Sequence, residues 1–176
     1  MSLRWGGVAS FQDGKKTLPL ALIGYQVIAQ KLAELGIELP IAAAPAFQYV
    51  PVTMHERLAF VSGQLPRQGE SLVTGKVGGD VDLEQGRDAA RLCILQALAV
   101  LNQSLGSLDR VDKILKITGF VASAPGFTQQ PKVIDAASEL LFQIFGESGK
   151  HARSAVGVAE LPRGAAVEIE LIVALR

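Results

Sequence analysis

The sequence predicts an α+β fold: a two-layer ββαβαββ domain whose mixed sheet carries two helices on one face. Three observations lead there. Residues 167–175 alternate strictly, with Val167, Ile169, Leu171, Val173 and Leu175 on one side and Glu168 and Glu170 on the other, the period of a half-buried strand. Residues 82–106 and 131–145 carry apolar residues at helical spacing. The apolar runs between them are short, rich in Val and Ile, and bounded by Gly and Pro.

Each element has its own signal. Residues 1–24 lack periodicity and read as an N-terminal arm or leader, expected to be disordered and dispensable. Residues 25–44 read as a short helix and a linker. Ile28, Leu32 and Leu35 fall on one face of Tyr25–Leu35, Gly36 follows as a stop, and Pro40 to Pro45 connect onward. Residues 45–176 form the main domain. Tyr49–Val52 and Leu58–Ser62 read as strands joined by the polar turn Thr53–Arg57. Residues 63–81, with five Gly and one Pro, read as a long loop.

Asp82 followed by Gln85 has the pattern of a capping box, and Cys93, Ala97, Val100 and Leu101 continue that helix toward Gly106. Ile114–Val121 reads as a strand broken by Ala124-Pro125-Gly126. The second helix runs from Pro131, tolerable only in a first turn, to Phe145, with Val133, Ala137, Leu140, Leu141 and Ile144 inward and Gly146 as its end. Two strands close the chain around Leu161-Pro162-Arg163-Gly164, which has turn composition. In the first of them Val156 and Val158 share one face, and Arg153 shares the other with Ala155 and Gly157. A guanidinium beside such small neighbours leaves room for a ligand.

Composition bounds the function. At 176 residues and 49% hydrophobic, one domain with a good aliphatic core is the expectation. Seventeen basic and seventeen acidic residues cancel, which argues against a general nucleic-acid partner. Cys93 is the single cysteine, so no internal disulfide forms, and with two His it cannot build an ordinary zinc site. No cofactor is implied. No apolar run reaches the roughly 18 residues of a membrane span. Residues 17–24 are apolar but short and contain Pro19, a poor signal peptide, so a cytoplasmic protein is expected. The Gly-Lys of 73–80 lacks phosphate-loop spacing.

Two separated motifs carry a family resemblance. A-R-S-x-V-x-V-A-x-L-P, a short turn and V-E-I-E close the chain from Ala152, and Phe60-Val61-Ser62-Gly63-Gln64-Leu65-Pro66 stands upstream. Both, in this order and spacing, resemble the RidA (YjgF, endoribonuclease L-PSP-like) family from about Pro45 to the C-terminus. The resemblance implies a chorismate-mutase-like fold assembling as a homotrimer, three sheets closing a central barrel with ligand clefts between subunits. It implies cofactor-independent hydrolysis of 2-imino or 2-enamino acids to 2-keto acids and ammonia. A trimeric small-carboxylate-binding regulator without turnover is the alternative. Endoribonuclease activity comes from the family's other name only, and the neutral charge argues against it.

The resemblance also implies residue roles. Arg153 stands where the family's Arg grips a substrate carboxylate; otherwise it is an interface salt-bridge residue. Glu168 stands where a Glu holds or activates water; otherwise it is an outward strand residue like Glu170. Tyr49 aligns with a cleft tyrosine, although the usual G-P-Y is Phe47-Gln48-Tyr49 here. Ser62 and Gly63 match a turn bordering the site, where Gly allows close approach. Ala155 replaces a frequent Cys whose backbone is what the family mainly uses. Pro131 replaces a frequent Asn, removing a side-chain amide. If Pro162 and Arg163 centred a tight hairpin, Gly157 would oppose Glu168 and Arg153 would lie about 13 Å further on. His55 and His151 read as surface residues, and Cys93 as core.

Overall fold

The computed structural model describes residues 27–42 and 48–176. The proposed N-terminal arm, the first two residues of the expected Tyr25 helix and part of the Pro40–Pro45 linker lie outside the described residues. Helix α1 (Val27–Glu34) buries Leu32 in the domain core, and its Ile28 N–H donates to Asp109 Oδ1 at 3.0 Å.

Strands β1 (Val52–His55) and β2 (Leu58–Gln64) form the expected hairpin, shifted so that only Glu56 and Arg57 lie in its turn. Tyr49 precedes β1 rather than starting it. The stretch read as a loop holds a small hairpin, β3 (Arg67–Gln68) with β4 (Ser71–Leu72), and is stitched back by Val77 N–H donating to Ala122 O at 2.8 Å.

Helix α2 (Leu83–Leu105) starts at a true capping box. Gln85 N–H donates to Asp82 Oδ1 at 2.8 Å, and Asp82 N–H donates to Gln85 Oε1 at 2.9 Å. Left-handed Gly106 (φ 79°) ends it and donates to Asn102 O. Helix α3 (Gln130–Phe145) has Pro131 in its first turn and buries the five residues of its apolar stripe.

The five-stranded mixed sheet has the order β1-β2-β7-β5-β6. Here β5 is Val111–Ala122, β6 Ala152–Val158 and β7 Val167–Leu175. β5 and β6 are parallel, as a crossover through α3 requires, and the other pairs are antiparallel. The two long helices cover one face, where Ile117, Ile169, Leu171 and Val173 are buried against Ile94, Leu98, Ile134 and Leu141.

Two expectations are corrected by this topology. β6 and β7 do not form a hairpin, because β5 lies between them; Phe120 pairs with Val156 on one side and Glu168 on the other. Arg153, Ala155 and Gly157 also do not share the open face with Glu168. Arg153 is registered with Ile117 and Ala155 with Gly119, both on the helix-covered side. The reason is packing distance. A Cβ on Gly119 would lie 2.6 Å from Ile134 Cγ1, so α3 rides too close for valines, and the small residues turn under it. Val156 instead stands on the open face and is 42% exposed.

Candidate functional site

Glu168 lies on the open face at the start of β7, opposite Phe120 near the end of β5. β2 bulges between Val61, opposite Leu171, and Gln64, opposite Ile169. The extra residue lets the Ser62-Gly63 backbone fold toward β7. Glu168 Oε1 occupies the place where a Cβ on Gly63 would stand, and Glu168 Cδ lies 2.8 Å from that point. Gly63 is therefore required by the close approach of the carboxylate. Ser62 fixes the bulge from outside: its Oγ–H donates to Val50 O at 2.9 Å and its N–H to Pro51 O at 2.9 Å. Gln64 Nε2 donates to Ser62 O at 3.0 Å.

Partial burial raises the pKa of Glu168 above its ordinary value of 4.5, and the neighbouring Glu170 charge raises it further; no hydrogen bond offsets either effect. Such a carboxylate is a stronger base than an exposed one. The same open face is mixed: Phe120 and Val156 stand beside Glu168, then Glu170, Thr118 and Ser154, then Ile172, Phe60 and Lys116, and among the described residues no second layer covers it.

Arg153 lies elsewhere, on edge strand β6 beneath α3. Its Nη1 donates to Asp135 Oδ1 at 2.7 Å and to Ser138 Oγ at 3.2 Å, both on α3. Among the described residues its Nε and Nη2 have no partner. His151 belongs to the same cluster and is not a plain surface residue: Nε2 lies 3.0 Å from Ser138 Oγ and Nδ1 2.6 Å from Gly149 O. Ser138, Phe142, Gly149, Lys150, His151 and Arg153 line an open groove between α3 and the start of β6.

Arg153 and Glu168 thus point to opposite faces of one sheet, two strands apart and three residues out of register. That separation is about 14 Å within one protomer. Ala155 packs between them against the core, half-buried. Tyr49 is 57% exposed, ahead of β1. The structure brings Ser62, Gly63 and Glu168 together, and separately Arg153 with Asp135, Ser138 and His151.

Three residues of these clusters escaped the sequence. Asp135 and Ser138 sit on the α3 surface at a helical spacing of three, a pattern too common to single out. Gln130, beside Pro131, donates from Nε2 to Phe127 O at 2.8 Å and Ser123 Oγ at 3.1 Å. Its amide abuts Gly157, where a Cβ would meet Nε2 at 2.7 Å. An amide is therefore present next to the β6 edge in spite of Pro131. Cys93 is core as expected: burial, and after it the Glu168 charge, pushes its thiol pKa well above 9.0, and Sγ donates to Val167 O. His55 is exposed at the end of β1. Among the described residues no cluster of His, Cys, Asp and Glu could hold a metal, and no helix is long and apolar enough to cross a membrane.

Comparison with known proteins adds the lineage of this scaffold. Residues 29–174 match the family model described as "YjgF/chorismate_mutase-like, putative endoribonuclease". Protein TCP17 of Trypanosoma cruzi is 46% identical over 150 residues, 84% of this chain and 94% of its own length. The 2-iminobutanoate/2-iminopropanoate deaminase of Dermatophagoides farinae is 30% identical over 141 residues, 79% of this chain and 94% of that protein. Among solved structures, Atu1372 of Agrobacterium tumefaciens, a protein of unknown function, is 44% identical with a TM-score of 0.81, covering 88% of this chain and 96% of its own.

Proposed function

This chain belongs to the YjgF/chorismate mutase-like family, and on that premise we propose that it hydrolyses reactive 2-imino or 2-enamino acids to 2-keto acids and ammonia. The observation that carries the reading is Glu168, a half-buried carboxylate of raised pKa laid against the Gly63 backbone on the open sheet face. The deaminase among its relatives supports the same chemistry.

Because Arg153 and Glu168 occupy opposite faces, one copy cannot supply both. We infer a homotrimer in which the β6 edge of one copy, with Arg153, borders the Glu168 face of the next. Phe60 and Val156, exposed on the open face, and the β6 edge, unpaired among the described residues, both favour such closure. In that cleft Arg153 of a second copy anchors the substrate carboxylate through its free Nε/Nη2 edge. Glu168 accepts a proton from water as its oxygen adds to the C=N carbon. The nitrogen is protonated in turn, the C–N bond breaks, ammonia leaves and the C=O forms. An enamine first takes a proton on carbon and gives one up from nitrogen to water, becoming the imine. Ser62 and Gly63 shape the wall beside Glu168, and Tyr49, exposed ahead of β1, is free to cover the cleft. Ala155 offers backbone only.

A second reading, a carboxylate-binding regulator without turnover, draws on the ion pair of Arg153 with Asp135, which already answers part of the guanidinium charge. Ammonia release from enzymatically generated 2-iminobutyrate decides between them. A rate above the spontaneous background supports the hydrolase; tight binding at background rate supports the regulator.

A further inference from the structure

Arg153 ends a hydrogen-bonded chain whose direction can be worked out atom by atom. The Gly149 carbonyl can only accept, so His151 Nδ1, 2.6 Å away, carries a proton. In the neutral ring Nε2 is then an acceptor, and Ser138 Oγ, 3.0 Å from it and 3.4 Å from the Ile134 carbonyl oxygen, gives its one proton to the nearer nitrogen. The serine lone pairs accept from Arg153 Nη1 at 3.2 Å, and the other Nη1 proton goes to Asp135 Oδ1 at 2.7 Å. Both Nη1 protons are spent. What remains is the side-on pair Nε–H and Nη2–H, the fork that matches a carboxylate. Gly149 is itself pinned to α3, since a Cβ there would lie 2.7 Å from the Leu141 carbonyl carbon.

We propose that His151 is a positioning residue for Arg153: through Ser138 it turns the Nε/Nη2 edge toward the ligand carboxylate, and its own protonation sets how tightly that carboxylate is held. The proposal rests on the reading of Arg153 as the carboxylate anchor.

The charges around His151 leave room for such a dependence. On α3, Asp135 is paired with Arg153 and Glu139 with Arg87. In the turn after α3, Glu147 and Lys150 pair at 2.9 Å. On β5, Lys116 is registered with Ala152 and points to the other sheet face. In the cleft proposed above Glu168 of the neighbouring copy is a further carboxylate on the far side of the ligand, so the carboxylate held by Arg153 is the negative charge that binding adds near the ring. Burial lowers the pKa of His151 from its ordinary 6.5; the Gly149 carbonyl opposes this and the Arg153 charge adds to it. The ring is neutral at pH 7, and the chain above is its neutral arrangement. As pH falls Nε2 takes a proton and donates to Ser138 Oγ, whose own proton turns to the Ile134 carbonyl 3.4 Å away; the chain stays joined and an imidazolium faces the bound anion. By linkage, the ligand is held more tightly and its binding takes up a proton. A unit charge about 7 Å from a carboxylate in partly solvated protein corresponds to about three- to tenfold in affinity.

The test titrates the full-length protein with 2-ketobutyrate by calorimetry from about pH 5 to about pH 7.5, in two buffers of different ionisation enthalpy. Wild type should bind about three- to tenfold tighter at the acid end, with proton uptake. His151→Gln keeps an acceptor for Ser138 but cannot be charged. It should bind like wild type at pH 7.5 and lose the acid tightening. His151→Ala should be about threefold or more weaker at pH 7.5, since the Ser138 hydroxyl then turns to the Ile134 carbonyl and nothing from β6 holds it beside Arg153. Acid tightening that survives in His151→Gln, no proton uptake in wild type, or undiminished binding by His151→Ala each overturns the proposal. Arg153→Ala separates the premise: lost binding there upholds the anchor whatever His151 does, and undiminished binding overturns anchor and proposal together.

Discussion

Replacing Gly63 by Ala tests whether Glu168 works from the position in which the β2 bulge holds it. The backbone at Gly63 is not in the left-handed region, so Ala fits it without strain. Its Cβ would stand 2.8 Å from Glu168 Cδ and 3.0 Å from Cγ, and would overlap Oε1. Ordinary carbon contacts begin near 3.5 Å, so the carboxylate must retreat by about 1 Å. That retreat is inexpensive for stability, because the clashing atoms are the end of a flexible side chain, and loss of a glycine stiffens the unfolded chain by ~0.4–1 kcal/mol. It is costly for catalysis, where a misplacement of ~1 Å lowers rate by up to ~10²-fold. Gly63→Ala should therefore leave the thermal midpoint within a few degrees of wild type and lower imine hydrolysis by about 10- to 100-fold. Gly69→Ala is the opposite control. Gly69 has φ 61° and nothing within 4 Å of its Cβ position, so Ala there should cost ~1 kcal/mol of stability and no rate. Full activity in Gly63→Ala would refute the argument that Glu168 needs its present place. A large fall in its midpoint would refute the argument that only the carboxylate moves.

Further expectations concern charge, capping and assembly. Glu168→Gln should lower turnover by ~10²–10⁴ with little change in keto-acid affinity, and Glu170→Gln much less, measured by ammonia release. The raised pKa of Glu168 means its contribution to stability is present below pH 4.5 and lost as pH rises through the folded-state value. Chemical denaturation should accordingly find Glu168→Gln more stable than wild type at pH 7, with the difference vanishing near pH 4. Asp82→Ala removes one half of the capping box and should cost about 1 kcal/mol by the same measurement, since Gln85 N–H then loses its acceptor. Light scattering should give three times the monomer mass at micromolar concentration; a monomer would remove the shared cleft.

Local features were readable from the sequence because their causes are local. The Asp82–Gln85 box, the Gly106 stop, Pro131 in a first turn and the alternation of 167–175 each follow from a few neighbouring residues. What the chain did not reveal was relative placement. Alternation tells that Arg153 and Val156 face opposite ways, and it does not tell which way is in. The usual rule turns the valines inward, but Gly119 and Gly157 bring α3 so near that only small residues fit beneath it. Strand order was hidden for a similar reason: nothing between Val158 and Val167 records that β5 has already taken the place between them. The Ser138 and Asp135 partners of Arg153 depend on that same helix crossing. The bulge at Ser62-Gly63 left a trace, a Gly within a strand run, whose partner only the fold supplies.

The placement of β7 has a consequence for how the protein is made. β7 is the middle strand, flanked by β2 and β5, yet its residues emerge from the ribosome after all the others in the sheet. Until they appear, β1 and β2 have no bridge to β5 and β6, and α2 and α3 have no central floor to cover. Synthesis therefore offers no stable half-domain along the way. A chain shortened before Val167 exposes two strand edges and the whole aliphatic interior at once. Such a product is an immediate target for chaperones and proteases, so that early termination removes the molecule rather than releasing a weakened one.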